Sequence, residues 1–249
     1  MINVVHKILS IIFPYKYNKL FVKHMPRCIN FNYLVKTMKK KNLITYWDNY
    51  YDNIKNFSES SFAKFTSNYF GKKRNGKKII DIGCGNGRDS FYFYKQNLSV
   101  VGIDISKKAI KKNLNYSNPK LKFINLDIEK KTMSEKFDFI YSRFFLHAIN
   151  EKTEDRLLKW INKIKKKNAL LFLEYRNHKD LIFRKIKNKK HNQLIEFEKG
   201  HFRRIIYTEK FVKKISKFFK GKIIYKKSAK NLSIVKGDNP NLSRIIYKF

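Results

Sequence analysis

One short run constrains this chain more than any other. Asp81-Ile-Gly83-Cys84-Gly85-Asn86-Gly87 follows an apolar stretch that begins at Lys78, and it opens onto a helical pattern. Glycines at alternate positions let a backbone turn sharply and approach a ligand closely, because no Cβ intervenes. In an open α/β sheet, ligands bind where the strands end in such turns. The spacing then sorts the ligands. A dinucleotide fold needs G-x-G-x-x-G, so that a pyrophosphate rests on the helix N-terminus. Here the pattern is G-x-G-x-G, and the third dinucleotide glycine would fall on Arg88. No G-K-[ST] follows, which excludes a phosphate-binding P-loop. Asp81, at the end of the strand, favours a cationic ligand over a pyrophosphate.

Around this run, strand and helix patterns alternate. Strands are predicted at Lys78 to Ile82, Ser99 to Asp104, Lys122 to Asn125, Phe137 to Tyr141 and Ala169 to Tyr175. Between them, helical patterns run from Gly87 to about Gln96, from Ser106 as N-cap, and from Thr153 to Lys166. That alternation implies parallel strands joined by helical crossovers, with helices on both faces. Upstream, a helix is predicted from about Ser60 to Phe70. The tail departs from the pattern. A helix from Thr208 to Phe219 leads to strands at Lys222 to Lys227 and Arg244 to Phe249, which read as an antiparallel edge pair.

Two more acids stand at strand ends. Asp104 closes the second strand, where a carboxylate accepts hydrogen bonds from a ribose diol. Asp127, beside Ile128, follows the third strand. An adenine ring suits that pair, with an acceptor for its amine and an apolar face. Taken in order, these features make the stretch from Lys78 to about Asp180 resemble the class I S-adenosylmethionine-dependent methyltransferases. The resemblance implies an α/β, Rossmann-like fold: a seven-stranded, mostly parallel sheet with an antiparallel C-terminal strand and helices on both faces. It implies S-adenosyl-L-methionine as cofactor and no metal. Gly83, Gly85 and Gly87 would line its amino-acid part, Asp104 would hold the ribose, and Asp127 and Ile128 the adenine. Asp81, Cys84, Asn86, Arg88, Ile105 and Ser142 are further cofactor-binding candidates.

The acceptor must be sought outside the loop. Tyr141-Ser-Arg143-Phe-Phe-Leu-His147 follows the fourth strand, Leu173-Glu174-Tyr-Arg176 ends the fifth, and Gly200-His201-Phe-Arg203-Arg204 comes later. With Tyr46-Trp47-Asp-Asn-Tyr50-Tyr51, this set resembles small methyltransferases associated with polysaccharide or cell-surface glycan assembly in bacteria and large DNA viruses. That likeness runs from about residue 45 to the end. It implies O-methylation of a sugar hydroxyl, which needs a general base as the alcohol attacks. His147 is the first candidate by residue type, with Glu174 and His201 as competitors. Each can instead be a packed or paired structural residue. Arg143, Arg176, Arg203 and Arg204 are assigned to substrate binding, with Arg143 and Arg176 read as orienting sugar, phosphate or the cofactor carboxylate by bidentate bonding. Trp47 and Tyr51, on a helical spacing, either pack on the sheet or form a lid over the cofactor, where a cation–π contact adds about 0.5–2 kcal/mol.

Composition enters as a rival reading. The chain has 57 Lys and Arg against 19 Asp and Glu, a formal charge of +38. Such a field suits nucleic acid or an anionic surface as partner, so an RNA or protein methyltransferase, or an inactive binding relic, is the alternative. A small-molecule acceptor also remains open. The lysines are spread along the whole chain, however, as coding bias would produce. Only 10 of the 57 are Arg, and Arg88, Arg143, Arg176, Arg203 and Arg204 all fall at strand ends or in the motifs above. Where drift favours Lys, retained Arg points to sites that need a planar fork. Base-amine methylation often uses an Asn/Asp-Pro-Pro-aromatic turn after strand four; Ser142-Arg-Phe-Phe stands here instead. Two cysteines, Cys28 and Cys84, exclude a disulfide scaffold and suggest a reducing, cytoplasmic setting. Val4 to Phe13 reads as an amphipathic docking segment rather than a secretory signal or a membrane span. Residues 1–44 are taken as a basic extension and 45–249 as the domain.

Overall fold

A computed structural model describes residues 31–53, 58–72, 74–234 and 237–249. The Val4–Phe13 segment and Cys28 lie outside them. The chain divides into two compact units between Lys41 and Asn42, and the sheet, its flanking helices and the site all lie in the second. Helix α1 (Phe31–Asp52) runs through residue 44, so the expected boundary falls inside an element. The part of the expected extension that the structure describes is helical from Phe31. Helix α2 (Ser61–Ser67) is capped by Ser60, whose hydroxyl accepts from the Ala63 N–H.

The central elements follow in the predicted order: β1 (Lys78–Ile82), α3 (Arg88–Lys95), β2 (Ser99–Asp104), α4 (Lys107–Leu114), β3 (Leu121–Asn125), β4 (Phe137–Arg143), α5 (Glu151–Ile164) and β5 (Lys165–Arg176). A hairpin comes next, β6 (Leu194–Glu198) and β7 (His201–Arg204), and then α6 (Thr208–Phe218), β8 (Lys222–Ala229) and β9 (Leu242–Lys248). The seven-stranded sheet has the order β3-β2-β1-β4-β5-β9-β8. Strands β1 to β5 pair in parallel, and β9 lies antiparallel between β5 and β8. This is the sheet the resemblance implies. The tail strands do pair antiparallel, and the last strand is inserted rather than outermost.

Alternation along the strands builds two cores. Ile79 and Val100 face one layer, with Phe62, Phe70 and Phe93. Ile80, Ile82, Val101 and Ile103 face the other, with Leu157, Trp160 and Ile161 of α5. No helix among the described residues is long and apolar enough to cross a membrane.

The hairpin β6–β7 was not foreseen, although Leu194-Ile-Glu-Phe-Glu, followed by Lys199-Gly200, carries the alternation and the turn residue that signal one. Gly200 has φ +85°, and a Cβ there would sit 2.3 Å from the Asn42 carbonyl oxygen. The turn thus packs directly under α1.

Candidate functional site

Strand β1 delivers Asp81 and the glycine loop to the carboxyl edge of the sheet. Gly83, Gly85 and Gly87 all have positive φ, at +79°, +53° and +75°. The loop is held from below: Gly83 and Cys84 donate their N–H groups to the Ile103 carbonyl at 2.9 and 3.0 Å. Gly85 donates to Asp104 Oδ2 at 2.9 Å, and its carbonyl accepts from Asn113 Nδ2 at 2.8 Å. The missing side chains are used by the protein itself. A Cβ on Gly83 would meet Phe145 at 2.8 Å, one on Gly85 would meet the Tyr51 ring at 2.4 Å, and one on Gly87 would meet Phe123 at 3.0 Å. Sequence reasoning gave this space to a ligand alone. The structure gives it to aromatic rings that roof the loop.

Tyr51 stands on the last turn of α1, with its ring over Gly85. Asp48 Oδ1 accepts from Ser106 Oγ at 2.7 Å and from the Lys108 N–H at 3.1 Å. It reinforces the cap that Ser106 makes at the start of α4, where an anion also meets the positive end of the helix. Trp47 stacks on Tyr51 with ring centroids 5.9 Å apart, and Tyr46 stacks on His201 at 4.5 Å. One helical face therefore covers both the glycine loop and β7. Asp48 and Asn113 were missed as positioning residues. Asp48 lay within the aromatic segment already singled out, whereas Asn113 carries no local signal.

Two buried acids, Asp81 and Asp104, lie near the Tyr51 ring, and among the described residues neither forms an ion pair. Asp81 accepts from Ser90 Oγ at 2.7 Å. Burial, with Asp89 adding negative charge nearby, pushes its carboxyl up to about 8. Asp104 accepts backbone N–H groups from Gly85 on Oδ2 and from Ser106 on Oδ1, the latter at 2.8 Å, with Ile105 as a third backbone donor. Burial raises it to about 6, against the pull of those backbone donors. Acids driven toward neutrality under aromatic rings are a donor set for a cationic, hydroxyl-bearing ligand, and the adenosyl sulfonium cofactor fits it. Asp127 uses Oδ1 to accept the Glu129 N–H at 3.0 Å, and Ile128 is buried in the core beside Leu126. Ile105 is half-buried next to Asp104. Arg88 opens α3, with Nε 3.9 Å from Asp89. Ser142 donates to the Ile82 carbonyl at 3.1 Å and so ties β4 to β1.

The far end of β4 holds the acceptor-side candidates, and the structure sorts them. Glu174 is 1% exposed. It takes Arg143 Nε at 3.0 Å on Oε1, Arg244 Nε at 2.7 Å on Oε2, and the Ser233 hydroxyl across both. Registers Arg143↔Glu174 and Glu174↔Arg244 make this a single row across β4, β5 and β9. Glu174 thus spends both oxygens on two guanidiniums, and Arg143 spends its Nε on Glu174. Arg244 and Ser233 are partners the sequence did not reveal.

Arg204 is fully buried, with Nη2 on Glu154 and on the Leu146 carbonyl and Nη1 on Asn192 at 2.6 Å. Arg176 pairs with both oxygens of Asp180 at 3.1 Å, and with Asp238. Neither keeps a free fork for an acceptor. The bidentate bonds expected toward a ligand go instead to the protein's own carboxylates.

His147 is buried, and its Nδ1 accepts the Arg176 backbone N–H at 3.2 Å. Desolvation, then the charges of Arg203, Arg176 and Arg204, hold its pKa well below the ordinary imidazole value. The neutral ring therefore carries its proton on Nε2 and presents a donor. His201 differs. Both of its ring nitrogens are buried without a hydrogen-bond partner among the described residues. Burial, then Arg203 and Arg176, bring its pKa down to about 4, so it is neutral with a lone pair to offer. Beside His147, Phe144 adopts φ +56°, an uncommon conformation for a bulky residue, under the Arg143 guanidinium at 4.2 Å. An open groove of about 580 Å³ lies along Asn42, Tyr46, Asn49, Tyr50 and Glu198. Its lining includes no residue of the glycine loop or of the parallel strands' ends, and Tyr46, which lines it, stacks on His201.

A family model described as a methyltransferase domain matches residues 73–231, more than half of the chain. The ubiquinone biosynthesis O-methyltransferase of Pelagibacter ubique is 34% identical over 103 residues, which cover 39% of this chain and 40% of that protein. Phosphoethanolamine N-methyltransferase 3 of Arabidopsis thaliana is 34% identical over 93 residues, 34% of this chain and 19% of that protein. The chain thus spans two fifths or less of the length of these curated relatives. A SAM-dependent methyltransferase structure from Methanosarcina mazei superposes with a TM-score of 0.60 at 22% identity, covering 74% of this chain and 96% of that one.

Proposed function

Because the chain belongs to the methyltransferase domain family, we propose that it transfers a methyl group from S-adenosylmethionine to a hydroxyl of a sugar, in a glycan or glycan precursor. When bound, the cofactor supplies a sulfonium methyl that is already electrophilic. The work left to the protein is alignment and removal of one proton. Asp81, the three loop glycines, Asp104, Asp127 and Ile128 hold the cofactor, and Tyr51 and Trp47 exclude water above it. His147, a neutral ring with its proton on Nε2, donates a hydrogen bond that orients the acceptor oxygen. His201 takes the hydroxyl proton.

The observation that carries the hydroxyl reading is His201: a neutral imidazole, stacked on Tyr46, with both nitrogens uncommitted. An alcohol needs a base with a lone pair, and an amine acceptor needs less help. The test is incubation with methyl-labelled cofactor and separate glycan, RNA and protein fractions. Label is expected in the glycan fraction and lost in His201→Gln. Label confined to RNA would reject this acceptor and favour a role for the basic surface.

A further inference from the structure

Three guanidiniums surround His147, and the protein neutralises only two of them. Arg204 has Glu154, and Arg176 has Asp180 and Asp238. Arg203 has no carboxylate partner among the described residues. Its one hydrogen bond runs from Nη1 to the adjacent Phe202 carbonyl at 2.8 Å, and its Cζ lies 5.4 Å from the centre of the Trp47 ring. The Tyr46, Tyr50 and Tyr51 side chains are near enough to be felt electrostatically, but at neutral pH phenols carry no balancing charge. Taking a cation out of water without a partner is costly. Here the cost is large enough to depress a guanidinium, which ordinarily stays charged under all conditions, to about 10. The neighbouring His201, with both nitrogens buried and unpaired, is a second unmet polar group on the same strand.

Resting on the methyl-transfer reading above, we propose that the acceptor is anionic, and that its carboxylate or phosphate seats on the Arg203 fork against the face of Trp47. An oxyanion there completes an arrangement the fold leaves open: a planar cation stacked on an aromatic ring, with its outer N–H groups unspent. The Trp47 wall orients the fork, and His201 lies one strand alternation away on β7. An anion on Arg203 also lowers the positive potential at His201 and so strengthens it as the proton acceptor. A neutral sugar does neither. The one competing source of the same chemistry is the carboxylate of the cofactor's amino-acid part.

The test separates the two sources. Tryptophan fluorescence of the full chain is titrated with glucose 6-phosphate, glucuronate and glucose, with and without saturating S-adenosylhomocysteine. The two anions are expected to bind at least tenfold more tightly than glucose, whether or not S-adenosylhomocysteine is present. Arg203→Met is expected to erase that preference while S-adenosylhomocysteine affinity stays within twofold. Arg203→Lys, which keeps charge but not the fork, is expected to retain part of the preference and guards against a folding defect in the Met variant. Equal binding of anionic and neutral sugars by the wild type, or a preference that survives Arg203→Met, overturns the proposal. So does a tenfold loss of S-adenosylhomocysteine affinity in Arg203→Met without anion selectivity, which assigns the guanidinium to the cofactor. Failure of the wild type to bind S-adenosylhomocysteine would instead reject the methyl-transfer reading, and the titrations run without it still decide the fate of Arg203.

Discussion

Replacing Asp81 by Asn separates what this residue costs the empty fold from what it gives the ligand. The side chain is 3% exposed, hydrogen-bonded by Ser90, and raised from 3.8 to about 8 by burial and by Asp89. A carboxyl whose folded pKa lies above its unfolded one stabilises the fold while protonated. That contribution is complete below about pH 4 and disappears as pH rises through 8. At about 1.4 kcal/mol per pH unit, the loss between pH 5 and 8 is on the order of 4 kcal/mol. Asn keeps an acceptor for Ser90 Oγ and cannot ionise. For a domain of this size roughly 2–4 °C accompanies each kcal/mol, so the Tm of Asp81→Asn should gain about 10 °C on wild type between pH 5 and pH 8. Cofactor binding should show the opposite sign. A cationic ligand favours the ionised carboxylate, so wild-type affinity should rise with pH from 6 to 8, with proton release visible by calorimetry in buffers of different ionisation enthalpy. In Asp81→Asn both the affinity and its pH dependence should fall, the affinity at least tenfold. Melting curves of the two proteins that run parallel from pH 5 to 8.5 would refute the reasoning.

Three further outcomes follow from the same geometry. Gly85→Ala places a non-glycine residue at φ +53° and drives its Cβ into Tyr51; the backbone part costs about 1–2 kcal/mol, and adding Tyr51→Ala should restore the steric remainder in urea unfolding. Glu174→Gln leaves Arg143 and Arg244 around a neutral side chain and should cost about 3 kcal/mol or more, seen as a lower Tm; a large loss of kcat at unchanged Tm would return Glu174 to the role of base. In sugar methylation assays, His201→Gln should lower kcat by roughly 10²-fold or more with little change in KM, and His147→Gln should act mainly through KM; the reverse pattern exchanges their roles.

How much of this was legible beforehand depends on whether a feature is set by neighbours in sequence or by neighbours in space. Strand β1, strand β2 and the Ser106 cap are written in local periodicity and turn chemistry, and they fell where the residues put them. The glycine loop was legible as a sharp turn, but not the rings of Tyr51 and Phe145 that exploit it, because those lie 34 and 62 positions from the glycines they meet, Gly85 and Gly83. The Arg143–Glu174–Arg244 row could not be read at all. It exists only because β9 inserts beside β5 rather than at the edge, which sets its arginine opposite Glu174. The scarcity of arginine was a sound clue with an inward answer. Where the composition drifts to lysine, the forks retained at Arg143, Arg176, Arg204 and Arg244 hold carboxylates inside the protein. Arg203 and Arg204 show the limit most sharply. Adjacent residues on a strand point to opposite sides, so one meets Glu154 and the other meets Trp47 without an acid. Which of the two would be left unpaired depends on what β7 packs against on each side, and that is fixed only by the helix folded over it.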